Sequence, residues 1–248
     1  MNIAVIFAGG VGRRMSSRGL PKQFLKVNNV PIIIHTLNVF QACREIDKIY
    51  VAIVASHKEM LEEMLAQYGI TKVAGIVIGG ETGLDSIYNG LARAQKESPE
   101  DSIVLIHDGV RPIITEDIIR SNIECVHRYG SAITSTPCYE TICVSSDESA
   151  IEEIPSRKTL FKAQAPQSFY LKDIIACHEK LRSSPEGYGE LVDSCSLYAK
   201  VMGTPHMVRG VFGNIKVTTP EDVYVLKALL DYRDAMTKLG LDDDLMSS

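Results

Sequence analysis

Four short apolar runs constrain this chain most: Ile3 to Phe7, Ile49 to Val54, Val73 to Ile78 and Ile103 to Ile106. None contains a charged residue, and three end at once in residues suited to a turn or a site: Gly9-Gly10, Gly79-Gly80 and His107-Asp108. A strand with one wet face alternates apolar and polar residues. An unbroken run fits a strand covered on both faces, as in a parallel sheet with helical crossovers. The amphipathic stretch from His57 to Tyr68 supplies one such crossover. The pattern predicts an α/β fold with a doubly wound, mostly parallel Rossmann-like sheet, whose ligands bind beyond the carboxyl ends of the strands.

The second half reads differently. Ser131 to Phe169 shows no helical period but has turn signals at Ser145-Ser146-Asp147 and Pro155-Ser156. Residues 138–160 are expected to form a hairpin-like arm, two short strands around a polar turn. An excursion of that length needs a partner or a function, and its unpaired strand edges predict a homodimer closed about a two-fold axis. Helices follow over Leu171 to Leu181 and Leu191 to Lys200, with a polar loop from Ser183 to Gly189 between them, then a strand and a last helix. Thr219-Pro220-Glu221-Asp222 opens that helix with an N-cap, a proline at N1 and acids in the first turn. One domain over 1–235 and a frayed tail over 236–248, containing Asp242-Asp243-Asp244, are expected.

With 26 Lys+Arg against 31 Asp+Glu, the net charge of −5 argues against a nucleic-acid partner. A nucleotide needs only a few local cations and stays open. The six cysteines form no CxxC and no metal-ligand cluster, so reduced thiols in a cytoplasmic protein are expected. The start lacks a basic segment and its apolar run spans five residues, so neither a signal peptide nor a membrane span is expected there.

Chemistry concentrates in two segments. Ala8-Gly9-Gly10-Val11-Gly12-Arg13-Arg14-Met15 follows the first run; its glycines let backbone N–H groups approach phosphate oxygens, and its arginines add charge-assisted donors. Neither GxGxxG nor GxxxxGK[ST] fits it. Lys22, on the Pro-fixed turn of Leu20-Pro21-Lys22-Gln23-Phe24-Leu25, could reach the same phosphates. Taken alone, the loop reads equally as a tight turn and Lys22 as a surface lysine. His107 reads as a packed histidine, Asp108 as a cap, Asp222 as first-turn helix chemistry and Lys216 as the exposed face of an edge strand.

Five motifs in order change that balance: the glycine-rich loop, Pro21-Lys22-Gln23-Phe24-Leu25, His107-Asp108-Gly109-Val110-Arg111-Pro112, Ala163 to Phe169 (AQAPQSF) and Asn214 to Asp222 (NIKVTTPED). Together, from about residue 3 to about 230, they resemble the cytidylyltransferases that activate sugar-alcohol phosphates, which include the 2-C-methyl-D-erythritol 4-phosphate and D-ribitol 5-phosphate enzymes. The resemblance implies transfer of CMP from CTP to a polyol phosphate, with Mg²⁺ as cofactor. It implies that Ala8, Gly9, Gly10, Gly12 and Arg13 wrap the triphosphate, and that Gly79, Gly80 and Ser86 face the cytosine. Arg14, Lys22 and Lys216 would be catalytic cations. Asp108 would hold Mg²⁺ and substrate, Arg111 and Asp193 would contact substrate, and Arg157 would reach the partner subunit's pocket. Such chemistry needs no protein nucleophile: the incoming phosphate attacks, and the protein positions two anions and offsets their charge.

Two positions depart from the family pattern. Gly83 stands where an arginine is usual, and Val192 where a threonine usually precedes the aspartate. Each loses a hydrogen bond to a charged group, worth about 1.5–3 kcal/mol. The eight-residue gap from Arg14 to Lys22, Leu20 to Leu25, His-Asp-x-Val-Arg-Pro and Ile154-Pro155-Ser156-Arg157 resemble the ribitol branch, with the methylerythritol enzyme as the alternative. An NAD(P)-dependent dehydrogenase and a catalytically weak nucleotide-binding protein are the readings from other classes.

Overall fold

The computed structural model describes residues 1–9 and 20–240. The strands are β1 (Asn2–Phe7), β2 (Lys26–Val27), β3 (Val30–Pro31), β4 (Lys48–Ile53), β5 (Val73–Ile78), β6 (Ile103–Asp108), β7 (Ser131–Pro137), β8 (Phe161–Tyr170) and β9 (Met207–Arg209). The helices are α1 (Ile32–Ala42), α2 (Lys58–Gln67), α3 (Gly83–Gln95), α4 (Glu116–Tyr129), α5 (Leu171–Arg182), α6 (Ser194–Val201) and α7 (Pro220–Leu239). All four apolar runs are strands of one seven-stranded sheet in the order β5-β4-β1-β6-β8-β7-β9, and β2 and β3 form a separate hairpin.

β1, β4, β5 and β6 run parallel, whereas β8 lies antiparallel between β6 and β7. From β1 the chain winds outward through β4 to β5, then returns to place β6 on the other side of β1. Connections leave β1 and β6 in opposite directions, and a crevice opens between their carboxyl ends.

Each strand sends alternate side chains to opposite layers. Ala4, Ile6, Ile103 and Leu105 pack with Phe40, Leu61 and Ile119 of α1, α2 and α4. Ile3, Val5, Val104 and Ile106 pack with Leu91, Ile174 and Leu197 of α3, α5 and α6. These side chains are fully or almost fully buried, and each one larger than alanine contributes roughly 1.5–3 kcal/mol when removed from water. The third cluster joins Val27, Val110 and Val217 to Leu226 and Leu230 of α7, which fixes the last helix beside the crevice.

Helix ends follow local chemistry. Thr115 caps α4 by accepting from Ile118 N, and Gly130 closes that helix in the left-handed region at φ 82°. α7 opens on the expected Thr219-Pro220 start with a capping box to Asp222, so Asp222 is helix chemistry.

Three boundaries differ from the sequence reading. α7 continues to Leu239, past residue 235, because Gly240 rather than a polar residue ends it; Asp242 to Asp244 lie outside the described residues. The stretch from Leu191 becomes helical only at Ser194, since Asp193 accepts from Ser196 N and sets the cap. The 138–160 segment forms one antiparallel bridge, Val144 with Glu153, and not two strands. Asp147 accepts from Ser149 N and Ala150 N at its tip. Its Tyr139, Ile151 and Ile154 are about 60% exposed, Tyr139 meeting only the Phe212 ring edge-on among aromatic side chains, so this chain alone leaves much of their apolar surface uncovered. No described helix is long and apolar enough to cross a membrane.

Candidate active site

Three of the five motifs meet at the end of β1. Gln23 is buried and donates from Nε2 to Ala8 O at 2.9 Å, and Lys22 Nζ donates to Val217 O at 2.9 Å. The short 3-10 turn Lys22–Phe24 therefore ties the start of the glycine-rich loop to the segment that carries Lys216. Gly10, Gly12, Arg13 and Arg14 lie outside the described residues.

A cavity of about 310 Å³ opens here, lined by Ala8, Gly9, Lys22, Gln23, Gly80, Glu81, Thr82, Gly83, Ser86, Asp108 and Lys216. Its far wall is the turn into α3. Ser86 donates from Oγ to Thr82 O and accepts from Gly80 N, both at 3.0 Å. A Cβ on Gly80 would stand 2.2 Å from Asp85 Cβ, and one on Gly79 would stand 2.9 Å from Ser86 Oγ. Close backbone approach requires these glycines. Gly80 and Ser86 border the cavity, whereas Gly79 packs behind Ser86 and does not line it.

Asp108, at the end of β6, is 5% exposed. Lys216 Nζ lies 2.6 Å from its Oδ1, and Arg111 Nε lies 2.9 Å from its Oδ2. Arg111 Nη1 also donates to Asn214 O at 2.7 Å. Burial alone would push the Asp108 carboxyl up; Lys216 and Arg111 more than offset it and hold the group below the usual carboxylate range. Lys216 lies in no strand, so its side chain is committed to Asp108 rather than to an exposed sheet face. His107 is buried, its Nε2 is 3.0 Å from Arg111 O, and burial pushes it down to about 4. A neutral ring there packs and hydrogen-bonds the backbone.

Beyond Asp108 lies a second cavity of about 290 Å³, which shares Phe7, Gly83, Asp108 and Lys216 with the first and adds Arg111, Gln164, Gln167, Val192, Asp193 and Ser194. Asp193 borders it while accepting from Gln167 Nε2 at 2.9 Å and from Ser196 N at 2.9 Å. Val192, at the rim, is 83% exposed. Asn214 donates to Ala165 O at 2.7 Å and Gln164 to Val211 O at 3.1 Å, so the third, fourth and fifth motifs close around this side. Arg157 is exposed, donates to Tyr139 O at 3.2 Å and lines neither cavity. Gln23, Gln164, Gln167 and Asn214 had no role assigned from sequence; polar residues buried inside recognised motifs were the available signal.

The donor set fits a divalent cation of the Mg²⁺ type. Asp108 is a single carboxylate facing both cavities, each of its oxygens keeps a second lone pair, and Mg²⁺ takes one or two carboxylates with phosphates and water completing the shell. The one cluster of metal-ligand types among the described residues, Cys43, Glu45 and Glu116, lies elsewhere. Its Glu45 is paired with Arg120, and burial pushes the Cys43 thiol up to about 11.

The arrangement can place two anions side by side on shared cations. Residues 2–232 match the family model of 2-C-methyl-D-erythritol 4-phosphate cytidylyltransferase. The chain is 45% identical over 234 residues to a ribitol-5-phosphate cytidylyltransferase of Streptococcus agalactiae, covering 94% of this chain and 97% of the relative. It is 43% identical over 240 residues to the Vibrio parahaemolyticus protein of the same name, covering 97% and 100%. A Clostridium botulinum 2-C-methyl-D-erythritol 4-phosphate cytidylyltransferase is 35% identical over 230 residues, covering 93% and 97%. Among solved structures, 4-diphosphocytidyl-2C-methyl-D-erythritol synthase from Anaerococcus prevotii superposes with a TM-score of 0.78 at 27% identity, covering 93% of this chain and 96% of that one.

Proposed function

This chain belongs to the 2-C-methyl-D-erythritol 4-phosphate cytidylyltransferase family, and on that premise we propose that it transfers CMP from CTP to D-ribitol 5-phosphate and releases pyrophosphate. Nucleotidyl transfer is the family's reaction. The observation that carries the substrate is the graded similarity: 43–45% to two ribitol-5-phosphate enzymes against 35% to a methylerythritol-phosphate enzyme.

In this reading CTP takes the cavity beside Gly9 and Gly80, and the polyol phosphate takes the one beside Gln167 and Asp193. A phosphate oxygen of the polyol phosphate attacks the α-phosphorus, the bond to the β-phosphate oxygen breaks, and pyrophosphate carries away the electron pair. Lys22 and Lys216 face the developing negative charge, with Arg14 assigned to the same task by its motif. Buried Asp108, anchored by Arg111, aims Lys216 at the boundary between the cavities. Asp108 would also hold Mg²⁺, whose charge would lower the repulsion between the two phosphate groups.

The reading includes a cytoplasmic homodimer. The apolar side chains exposed on the 138–160 arm support a mate, and Arg157, which lines neither cavity of its own chain, would serve the partner's site. Mixed dimers of Arg157→Ala and Lys22→Ala subunits would then regain activity, because one of the two sites escapes both lesions.

The experiment is a pyrophosphate-release assay of CTP, ATP, GTP and UTP against ribitol 5-phosphate and methylerythritol phosphate, with and without Mg²⁺. Metal-dependent turnover of CTP with ribitol 5-phosphate is expected. Faster turnover with methylerythritol phosphate would move the assignment to that branch, and no release with either would overturn the transfer reading.

A further inference from the structure

The turn that walls the nucleotide cavity has little packing of its own. Gly80, Glu81, Thr82 and Gly83 are all exposed, and two of the four are glycines. Such a segment holds one shape only if hydrogen bonds fix it. Ser86 ties Gly80 to the Thr82 carbonyl, and one carboxylate holds Thr82 from its other side. Asp85 Oδ2 accepts from the Thr82 hydroxyl at 2.8 Å and from Thr82 N at 3.3 Å, and Asp85 N donates back to Thr82 Oγ1. Its other oxygen, Oδ1, accepts from Arg182 Nη1 at 2.5 Å. Arg182 is the last residue of α5, 97 positions away in sequence, and belongs to no motif.

Arg182 is itself held. Its guanidinium sits over the Tyr88 ring at 4.4 Å, beside the Tyr188 hydroxyl. That hydroxyl lies 2.6 Å from Nδ1 of buried His178. Burial pushes His178 down to about 4, so the ring is neutral and adds no second cation beside Arg182.

We propose that Arg182 is a positioning residue for nucleotide binding: through Asp85 it holds Thr82, and with it the Gly80–Gly83 wall, in the shape that receives the nucleotide. This rests on reading that cavity as the CTP site. A half-exposed ion pair contributes little in water, so the expected effect is modest and confined to the nucleotide.

Arg182→Gln should raise the KM for CTP roughly three- to fivefold, leaving kcat and the KM for the polyol phosphate unchanged. Arg182→Lys should recover part of the loss. Asp85→Asn keeps an acceptor for Thr82 but loses the charge, so it should resemble Arg182→Gln, and the double variant should be no worse than the weaker single one. Calorimetric titration with CTP, in the absence of polyol phosphate, should give the same ratios in Kd. An unchanged affinity in Arg182→Gln, additive losses in the double variant, or a lower Tm with CTP affinity intact would each overturn the proposal. If the unaltered protein binds CTP but releases no pyrophosphate, the transfer reading fails and the Kd ratios alone decide this one. If it binds no CTP, both fall.

Discussion

The two cavities that meet at Asp108 are walled by different means. On the side proposed for the nucleotide the parallel strands β1 and β5 run into glycines, and neighbouring side chains lie 2.2–3.0 Å from where a Cβ would stand. On the polyol side the wall is built where antiparallel β8 joins β6, from the pairs Asp108–Lys216, Asp108–Arg111 and Gln167–Asp193. One half depends on the absence of volume, the other on the presence of charge. Their failures should therefore differ in kind.

Charge gives the largest expected effect. Lys216→Ala removes a cation assigned to the transition state and leaves buried Asp108 with Arg111 alone. A fall of ~10²–10³ in kcat is expected, with a comparable fall for Lys22→Ala. Pyrophosphate release measured at saturating CTP and polyol phosphate checks it. Near-native turnover in Lys216→Ala would break the contrast by showing the charged half to be ordinary surface charge; Lys22 lines only the other cavity, and near-native turnover there would overturn the role its motif gives it.

Volume comes next. A Cβ at position 80 would lie 2.2 Å from Asp85 Cβ, so Gly80→Ala must shift the turn. Overpacking of that kind costs ~1–3 kcal/mol. A higher KM for CTP, a lower Tm and an unchanged KM for the polyol phosphate are expected. Equal damage to both KM values would mean the halves are mechanically one.

How much of this was legible follows the same division. The strand runs and the Gly9 and Gly80 neighbourhoods stand out because local sequence determines them; Lys22, Asp108 and Lys216, which read locally as a surface lysine, a cap and an edge-strand residue, stand out only through the ordered motifs. Gln23, Gln164 and Asn214 do not, since each is defined by a backbone carbonyl 15 to 49 residues away. Arg182 is the extreme case, a cation at a helix end whose partner is 97 residues distant. The arm misled for a related reason. Alternation around a polar turn predicts paired strands, but the Asp147 turn and a single bridge satisfy that segment's backbone only locally.

Acid should affect both halves alike, since a buried histidine stands behind each: His107 behind Asp108 and His178 behind Arg182. Burial lowers both from 6.5 to about 4, so between those values the unfolded chain binds more protons than the folded one. Their stabilisation is complete above 6.5 and is lost as pH falls toward 4. One unit below the ordinary histidine value the loss is roughly 1 kcal/mol for each. Asp108, held low, stays ionised across this window; its contribution is lost only in stronger acid, as pH falls through its lowered value. Urea midpoints at about pH 7.5 and about pH 5.5 measure the difference; His35, which burial also lowers, adds to it with the same sign, so His178→Phe should reduce the difference by less than half. A midpoint that does not move would mean neither ring is buried as neutral imidazole.

Gly83 gives the smallest effect and sharpens the contrast most. It borders both cavities, three residues from Gly80, at the first position of α3. A Cβ built there meets nothing within 4 Å, and its backbone is not in the left-handed region. Alanine also reduces the freedom of the unfolded chain, which stabilises by about 0.4–1 kcal/mol where the native backbone accepts it. Gly83→Ala should therefore match or slightly exceed the parent Tm and leave both KM values within about twofold, as expected of one methyl at a cavity rim that meets no protein atom. Steady-state kinetics beside Gly80→Ala make the comparison direct: same residue change, same turn, opposite room. If Gly83→Ala proves as damaging as Gly80→Ala, backbone freedom rather than close approach governs this wall, and the division between a volume-limited half and a charge-limited half is wrong.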